Sequence, residues 1–271
     1  MSRLRNALVS IVASAVLACT TPAARVAEFS ARNHFQQLLL LGDGYTHIAY
    51  FKSGSGQEKI LHIYIEHDGV AWIDTDKISD DPTPRNALML AAMAQDASPS
   101  LYLGRPCYFG RHHDVGCGPT FWTDARYSET VVNSMATALH GFLSNHAYDV
   151  LFLGYSGGGT LAMLLAERFP QTHAVVTIAG NLDITAWTKH HDYSPIVGSL
   201  NPADRQPLPR AIRQSHYVGG RDFNVPPEII ESISILPTGS IIRMPEFDHV
   251  CCWQAWWPVA LQDLENNLAK R

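Results

Sequence analysis

The segment 148–159 dictates more of the architecture of this chain than any other. An apolar run at 150–153 leads into Gly154-Tyr155-Ser156-Gly157-Gly158, which has the form Gly-x-Ser-x-Gly. This order predicts a buried strand, a sharp turn and a helix, with the Ser156 hydroxyl raised at the tip of the turn. The helical pattern that follows ends at Pro170, and its apolar positions are Leu161, Leu164, Leu165 and Phe169.

A serine hydroxyl is a weak nucleophile unless a base takes its proton and an acid orients that base. Glycine-rich turns also join strands to helices in proteins without catalysis, so Ser156 needs such partners. Asp222 follows a predicted strand, and His249 follows a second one at 241–244. Open α/β sheets place their sites at the carboxyl ends of strands. Ser156, Asp222 and His249 are therefore the candidate catalytic residues, and Asp183, after a predicted strand at 174–179, is the alternative acid.

Together these motifs resemble the α/β-hydrolase fold of the serine esterase, lipase and peptidase superfamily. The resemblance rests on the Ser156 turn, on Gly219-Gly220-Arg221-Asp222 with Val225-Pro226 behind it, and on the His249 loop. It covers the chain from about residue 35 to the end. More local sequences around Glu66 and Arg105 resemble a bacterial lipoprotein-like branch. The resemblance implies an α/β fold with a mostly parallel central sheet flanked by helices, and a small irregular cap insert at about 182–213.

The same resemblance implies an oxyanion hole made of two backbone N–H groups. Gly157, the residue after the nucleophile, would supply one of them. The loop after a predicted strand at 60–65 would supply the other. That loop usually begins His-Gly, but here Glu66 and His67 stand in those two positions, and Asp68 aligns with the second donor. The alternative for His67 and Asp68 is an ordinary polar turn.

The first residues predict an export signal. Arg3 and Arg5 precede an apolar stretch at 7–18 that is too short to span a bilayer as a helix. Small residues before Cys19 resemble a bacterial lipobox, in which Cys19 becomes the lipidated first residue; ordinary cleavage near Ala18 or Ala24 is the alternative. We expect a signal peptide at 1–18, a tether at 19–34 and a hydrolase domain at 35–271. The exported protein would then lie in the periplasm or at the outer membrane, where only its lipid would contact the membrane; the alternative is a soluble periplasmic or secreted protein.

Export favours disulfides, because the periplasm is oxidising. The four remaining cysteines allow three full pairings, and they are Cys107, Cys117, Cys251 and Cys252. Cys107 with Cys117 is the preferred pair. Cys251 and Cys252 would form a vicinal bridge, or each would reach the other loop. Zinc binding by Cys107, His112, His113 and Cys117 is an alternative, but this spacing matches no established zinc motif. We therefore expect no metal and no cofactor.

Composition narrows the class of function. The 271 residues have 46% hydrophobic content, enough for one sizeable core, and a net charge of −5 argues against nucleic acid as a partner. The hypothesis is a serine hydrolase that cleaves a small-molecule ester or amide through an acyl-enzyme on Ser156. A peptidase or an acyltransferase would use the same residues. The alternative from another class is a non-catalytic envelope binding protein on the same scaffold, motivated by Glu66 and His67.

Overall fold

The computed structural model describes residues 20–56 and 58–269. The predicted signal peptide and Cys19 lie outside these residues. The strands are β1 (Gln36–Leu41), β2 (Thr46–Lys52), β3 (Ile60–Ile65), β4 (Trp72–Asp74), β5 (Lys77–Ile78), β6 (Ser100–Leu103), β7 (Asp149–Tyr155), β8 (Thr172–Ile178), β9 (Arg213–Gly219) and β10 (Ile241–Met244). The α-helices are α1 (Pro22–Arg32), α2 (Leu88–Gln95), α3 (Glu129–Leu143), α4 (Gly157–Ala166), α5 (Ile184–His190), α6 (Pro227–Glu231) and α7 (Trp253–Ala269).

Eight strands form one sheet in the order β1-β2-β6-β3-β7-β8-β9-β10. β2 pairs antiparallel with both of its neighbours, and every other pair in this sheet is parallel. The turn at 42–44 joins β1 to β2, as its glycines predict. β4 and β5 form a separate small hairpin that the sequence pattern does not predict.

The central strands are buried because helices cover both faces of the sheet. Along β7, Val150 and Phe152 belong to one apolar core and Leu151 and Leu153 to the other, as the alternation of a strand requires. α3 and α4 contribute side chains to the first core, and α2 and α7 contribute to the second. A strand buried on both faces reads as a continuous apolar run, which explains the sequence at 150–153.

The predicted tether at 19–34 is wrong for most of its length, because residues 22–32 form α1. The Thr21 hydroxyl caps this helix by accepting from the Ala24 N–H, and Pro22 occupies its first turn. Val26 and Ser30 are buried, and Phe29 packs against the second core. These three positions have helical spacing, but a short apolar stripe among polar residues gives a weak sequence signal.

The insert at 182–213 contains α5, a 3₁₀ turn at Pro202–Asp204 and irregular segments. It is fastened to the loop that follows β9. The Trp187 indole N–H donates to the Asn224 carbonyl at 2.9 Å, and His191 Nε2 lies 2.7 Å from the same oxygen. Among the described helices, none is long and apolar enough to cross a membrane.

Candidate active site

Ser156 occupies the turn between β7 and α4 with a left-handed backbone, φ 53° and ψ −122°. A non-glycine residue adopts this conformation only where its surroundings impose it, and such residues concentrate at active sites. Two glycines make the turn possible. A Cβ at Gly154 would clash with the Gly158 carbonyl, and a Cβ at Gly158 would clash with the Ile65 carbonyl at the end of β3. The spacing Gly-x-Ser-x-Gly is thus a packing requirement of the strand–turn–helix junction.

Three side chains from different strand ends meet at this turn. His249 Nε2 lies 3.0 Å from Ser156 Oγ, and His249 Nδ1 lies 2.8 Å from Asp222 Oδ2. A carboxylate only accepts, so the Nδ1 proton belongs between His249 and Asp222. Nε2 is then free to accept the Ser156 hydroxyl proton. The side chain of Asp222 is fully buried, whereas that of His249 is 16% exposed, so the imidazole is accessible from solvent while the carboxylate is shielded.

The two oxygens of Asp222 have separate tasks. Oδ1 accepts the N–H groups of Asn224 and Val225, each at 2.8 Å, and so fixes the carboxylate in the loop after β9. Oδ2 is left for His249. Asp183 is engaged elsewhere: its Oδ1 caps α5 by accepting from Thr185 and Ala186 at 3.1 and 3.0 Å. The structure brings Asp222, and not Asp183, to His249.

The loop that carries His249 is held by its own hydrogen bonds. Asp248 Oδ1 accepts from the N–H groups of Val250 and Cys251 at 2.8 and 2.6 Å, and these bonds lower the pKa of the Asp248 carboxyl. The Tyr155 hydroxyl donates to the His249 carbonyl at 2.8 Å. Asp248 is therefore a loop-stabilising carboxylate, and Tyr155, next to Ser156 in sequence, fixes the backbone of His249.

The two residues expected to form the oxyanion hole are in contact. A Cβ on Gly157 would clash with Asp68 Oδ1 and with the Tyr127 hydroxyl. Within residues 20–56 and 58–269, neither the Gly157 N–H nor the Asp68 N–H has a protein acceptor. The Asp68 side chain pairs with Arg105 at 2.7 Å and with Arg126 at 3.0 Å. Two backbone donors at the base of the elbow are thus available to a ligand.

Glu66 and His67, the residues that depart from the usual pattern, stabilise the loop after β3. The Glu66 carboxylate accepts the Met89 N–H at 2.9 Å and so caps α2, whose own N-cap residue, Ala87, has no capping side chain. Burial raises the pKa of the Glu66 carboxyl. His67 Nδ1 accepts the Gly69 N–H and its Nε2 donates to the Asn86 carbonyl, both at 3.0 Å. Both residues therefore have a structural reason to be there.

The cysteines pair as neighbours in sequence. Cys107 and Cys117 are joined, with Cα atoms 5.5 Å apart, and Cys251 is joined to Cys252 just past the base. The first pairing occupies two of the four residues of the alternative zinc set. In the described part of the chain, no group of three or more His, Cys, Asp or Glu residues is arranged to hold a metal ion.

Sequence reasoning missed Arg126 and Tyr127 altogether and took Arg105 only as part of a local resemblance. All three contact Asp68, from segments 37 or more positions further along the chain. The position of Arg105 just after β6, at the carboxyl edge of the sheet, is the one signal that would have marked it in advance. Arg126 and Tyr127 lie in a loop whose path no local pattern predicts.

No protein-family profile matches the sequence, and no curated protein matches it. Solved structures do match. A bacterial membrane phospholipase A, described as a virulence factor, superposes with a TM-score of 0.60 at 14% identity, over 92% of this chain and 93% of that one. An esterase from Pyrococcus furiosus gives 0.60 at 8% identity, over 87% and 90%. An α/β serine hydrolase homologue from Coxiella burnetii gives 0.55 at 12%, over 86% and 97%. The chain has the α/β-hydrolase fold, which confirms the predicted architecture.

Proposed function

We propose that the protein is a serine hydrolase that cleaves a carboxylic ester through an acyl-enzyme on Ser156. The observation that carries the proposal is the hydrogen-bonded series from Asp222 through His249 to Ser156, at 2.8 and 3.0 Å. Its order along the chain, nucleophile then acid then base, is that of hydrolases with a serine elbow. The loop after β9 uses only Oδ1 of Asp222. The contact of Oδ2 with His249 is therefore additional to what the loop requires, and orientation of the imidazole accounts for it.

The chemistry follows from the geometry. Ser156 Oγ attacks the substrate carbonyl carbon while His249 Nε2 takes its proton, and the carbonyl π electrons move to oxygen. Asp222 holds the imidazole in orientation and stabilises the imidazolium. The N–H groups of Gly157 and Asp68 donate to the new oxyanion. When the tetrahedral intermediate collapses, His249 gives the proton to the leaving alkoxide. A water molecule then gives a proton to His249 and attacks the acyl-enzyme carbonyl. The acid leaves as His249 returns the proton to Ser156 Oγ.

An ester with an apolar acyl or alkyl group is the substrate class we favour. Phe223 directly follows the acid and Val250 directly follows the base, and these side chains are 84% and 69% exposed. Exposed apolar groups beside a reactive centre provide contact area for an apolar part of a ligand. The solved structures with this fold include an esterase and a phospholipase. An amide substrate, peptide cleavage and acyl transfer use the same three residues and are distinguished by assay.

The decisive experiment compares the wild type with Ser156→Ala. We expect the wild type to hydrolyse p-nitrophenyl esters and to be labelled by a fluorophosphonate probe, and the variant to do neither while it keeps the wild-type melting temperature. A panel of short-chain esters, long-chain esters and aminoacyl amides, with the variant as blank, assigns the substrate class. Labelling of the variant at the wild-type rate would rule out Ser156 as the nucleophile.

The rival hypothesis, a non-catalytic binding protein, was motivated by the unusual Glu66-His67 loop. The structural roles of those two residues remove that motive, since Glu66 caps α2 and His67 closes the turn at Gly69. A folded wild-type protein that never reacts with the probe, yet retains a specific partner, would favour the rival. We further propose that the protein is exported and lipidated at Cys19, with cleavage after residue 18.

A further inference from the structure

Asp68 accepts hydrogen bonds at its main-chain carbonyl and at Oδ2, and its Oδ1 makes an ion pair without a hydrogen bond. The Tyr108 hydroxyl donates to its main-chain carbonyl at 3.0 Å. Arg126 Nη1 and the Tyr127 hydroxyl donate to Oδ2 at 3.0 and 2.5 Å. Arg105 Nη1 lies 2.7 Å from Oδ1. The N–H of Asp68 has no acceptor among the described residues.

Arg105 ties this arrangement to the end of β3. Its Nη2 donates to the Glu66 carbonyl at 3.2 Å while its Nη1 faces Asp68. The guanidinium lies over the rings of Tyr108 and Tyr127, 5.7 and 5.5 Å from their centroids. Such stacking restricts the planar head group, so Arg105 spans the loop as a rigid brace. The two ends of the segment 66–68 are thereby fixed relative to each other.

The charges matter because a carboxylate beside the oxyanion would oppose catalysis. Asp68 Oδ1 lies against Gly157, where negative charge would develop in the transition state. Two guanidinium groups surround this single carboxylate, so the cluster carries a net positive charge. Burial alone would raise the pKa of the Asp68 carboxyl, but Arg105 and Arg126 hold it well below its usual value. The carboxylate thus remains ionised, and the two guanidinium charges outweigh its single negative charge.

We propose that Arg105, Tyr108, Arg126 and Tyr127 are positioning residues for the proposed reaction. This set, called here the oxyanion clamp, aims the Asp68 N–H at the carbonyl oxygen of the substrate and surrounds it with net positive charge. The inference rests on the proposed serine hydrolase function. Three partners hold the Asp68 side chain and a fourth, Tyr108, holds its main-chain carbonyl, which restricts rotation of the backbone; pre-set donors stabilise an oxyanion without reorganisation. The clamp supplies this rigidity where the usual His-Gly loop sequence is missing.

The test uses substitutions that remove single hydroxyls and leave the rings in place. Tyr127→Phe and Tyr108→Phe each delete one donor to Asp68, and the double variant deletes both. Loss of one complete oxyanion donor costs about 10²- to 10³-fold in kcat. We expect Tyr127→Phe and Tyr108→Phe each to lower kcat by about tenfold and the double variant by about 10²-fold, because the donor is misaligned and not removed. KM should stay within about twofold of wild type. Tyr50→Phe, a buried tyrosine on β2, is the matched control and should match wild type.

A tetrahedral adduct separates positioning from general stability. Ser156 Oγ adds to the carbonyl of an aryl trifluoromethyl ketone, its proton passes to His249, and the resulting alkoxide occupies the oxyanion hole. In each clamp variant, we expect Ki for this inhibitor to rise by the same factor by which kcat/KM falls. Titration with the fluorophosphonate probe gives the concentration of active sites in each preparation. Arg126→Met should behave like the tyrosine variants, and Arg126→Lys should recover part of the loss because it restores the charge.

Two outcomes separate the clamp from the function beneath it. If the wild type is active but the two Tyr→Phe variants and Arg126→Met keep kcat and Ki within about twofold, the clamp is refuted and the hydrolase stands. The clamp is also refuted if kcat falls while Ki does not change. If the wild type neither turns over esters nor reacts with the probe, the proposed function itself has failed. Arg205→Met removes the exposed pair of Arg205 with Glu167 and controls for the loss of an ion pair elsewhere.

Discussion

Replacing Asp222 with asparagine changes one charge and almost none of the side-chain shape. Which atom of the amide then faces the base follows from the structure. Oδ1 of Asp222 accepts two backbone N–H groups, from Asn224 and Val225, and an NH₂ group cannot accept them. The amide oxygen must therefore take that side, and the NH₂ must point at His249. Because both groups would be donors, His249 Nδ1 has to lose its proton, which moves to Nε2.

That tautomer is the wrong one for catalysis. With a proton on Nε2, the nitrogen 3.0 Å from Ser156 Oγ can no longer accept the serine proton. The imidazolium that forms in the transition state also loses its counter-charge. The same exchange in a serine protease triad lowers kcat by about 10⁴, which corresponds to about 5 kcal/mol of lost transition-state stabilisation. We expect a loss of this size in kcat, with KM within a few fold of wild type.

The assay is ester hydrolysis under pre-steady-state conditions, with fluorophosphonate labelling rate as a second readout and thermal unfolding as the check on folding. Asp183→Asn is the matched control. Asparagine is about as good an N-cap as aspartate, so α5 keeps its cap and the rate should stay within about twofold. A larger loss from Asp183→Asn than from Asp222→Asn would refute the assignment of the acid. So would an Asp222→Asn protein that keeps more than about a tenth of the wild-type rate.

Three further outcomes follow from other parts of the molecule. Burial lowers the pKa of His47 to about 4, so the folded state binds fewer protons than the unfolded chain; this group alone should lower the free energy of unfolding by about 3 kcal/mol as pH drops from 6.5 to 4, and urea titrations of His47→Gln should show a shallower fall. Changing Cys107 and Cys117 to serine should lower the free energy of unfolding by about 3 kcal/mol, from the chain entropy of a closed loop of this size. In the wild type, neither cysteine should react with a thiol reagent until the disulfide is reduced. Cys19→Ser should move the protein from the membrane fraction to the soluble one, and an unchanged distribution would contradict lipidation.

The sequence could predict that Ser156, Asp222 and His249 meet because each of them is marked locally. The elbow at Ser156 carries its own glycines, and Asp222 and His249 each follow a short segment that the sequence predicts as a strand. Parallel strands bring their carboxyl ends to one edge, so order along the chain translates into proximity. The same logic anticipated the mostly parallel sheet, because apolar strands alternate with helical patterns.

What the sequence could not predict depends on contacts between distant segments. Asp68 meets Arg126 and Tyr127 at separations of 58 and 59 positions, through loops without periodicity. Glu66 caps a helix that begins 22 positions later, so its odd placement looked like a defect of the oxyanion loop. α1 was mistaken for a tether because only one narrow side of it is buried. In each case the missing information is tertiary, and propensity cannot supply it.

If the protein is lipidated at Cys19, as proposed, the docked position of α1 would limit how freely it moves at the membrane. Thr21 already caps the helix, so a lipid on Cys19 would be separated from the folded body by one residue, Thr20. At about 3.5 Å per extended residue, that link reaches less than roughly 10 Å. A long flexible linker lets a domain sample every orientation above a bilayer. A linker of one residue would keep nearly the same face of the protein towards the lipid. Substrates would then arrive from one side only, and lengthening the link by a flexible insert would change which of them the enzyme meets.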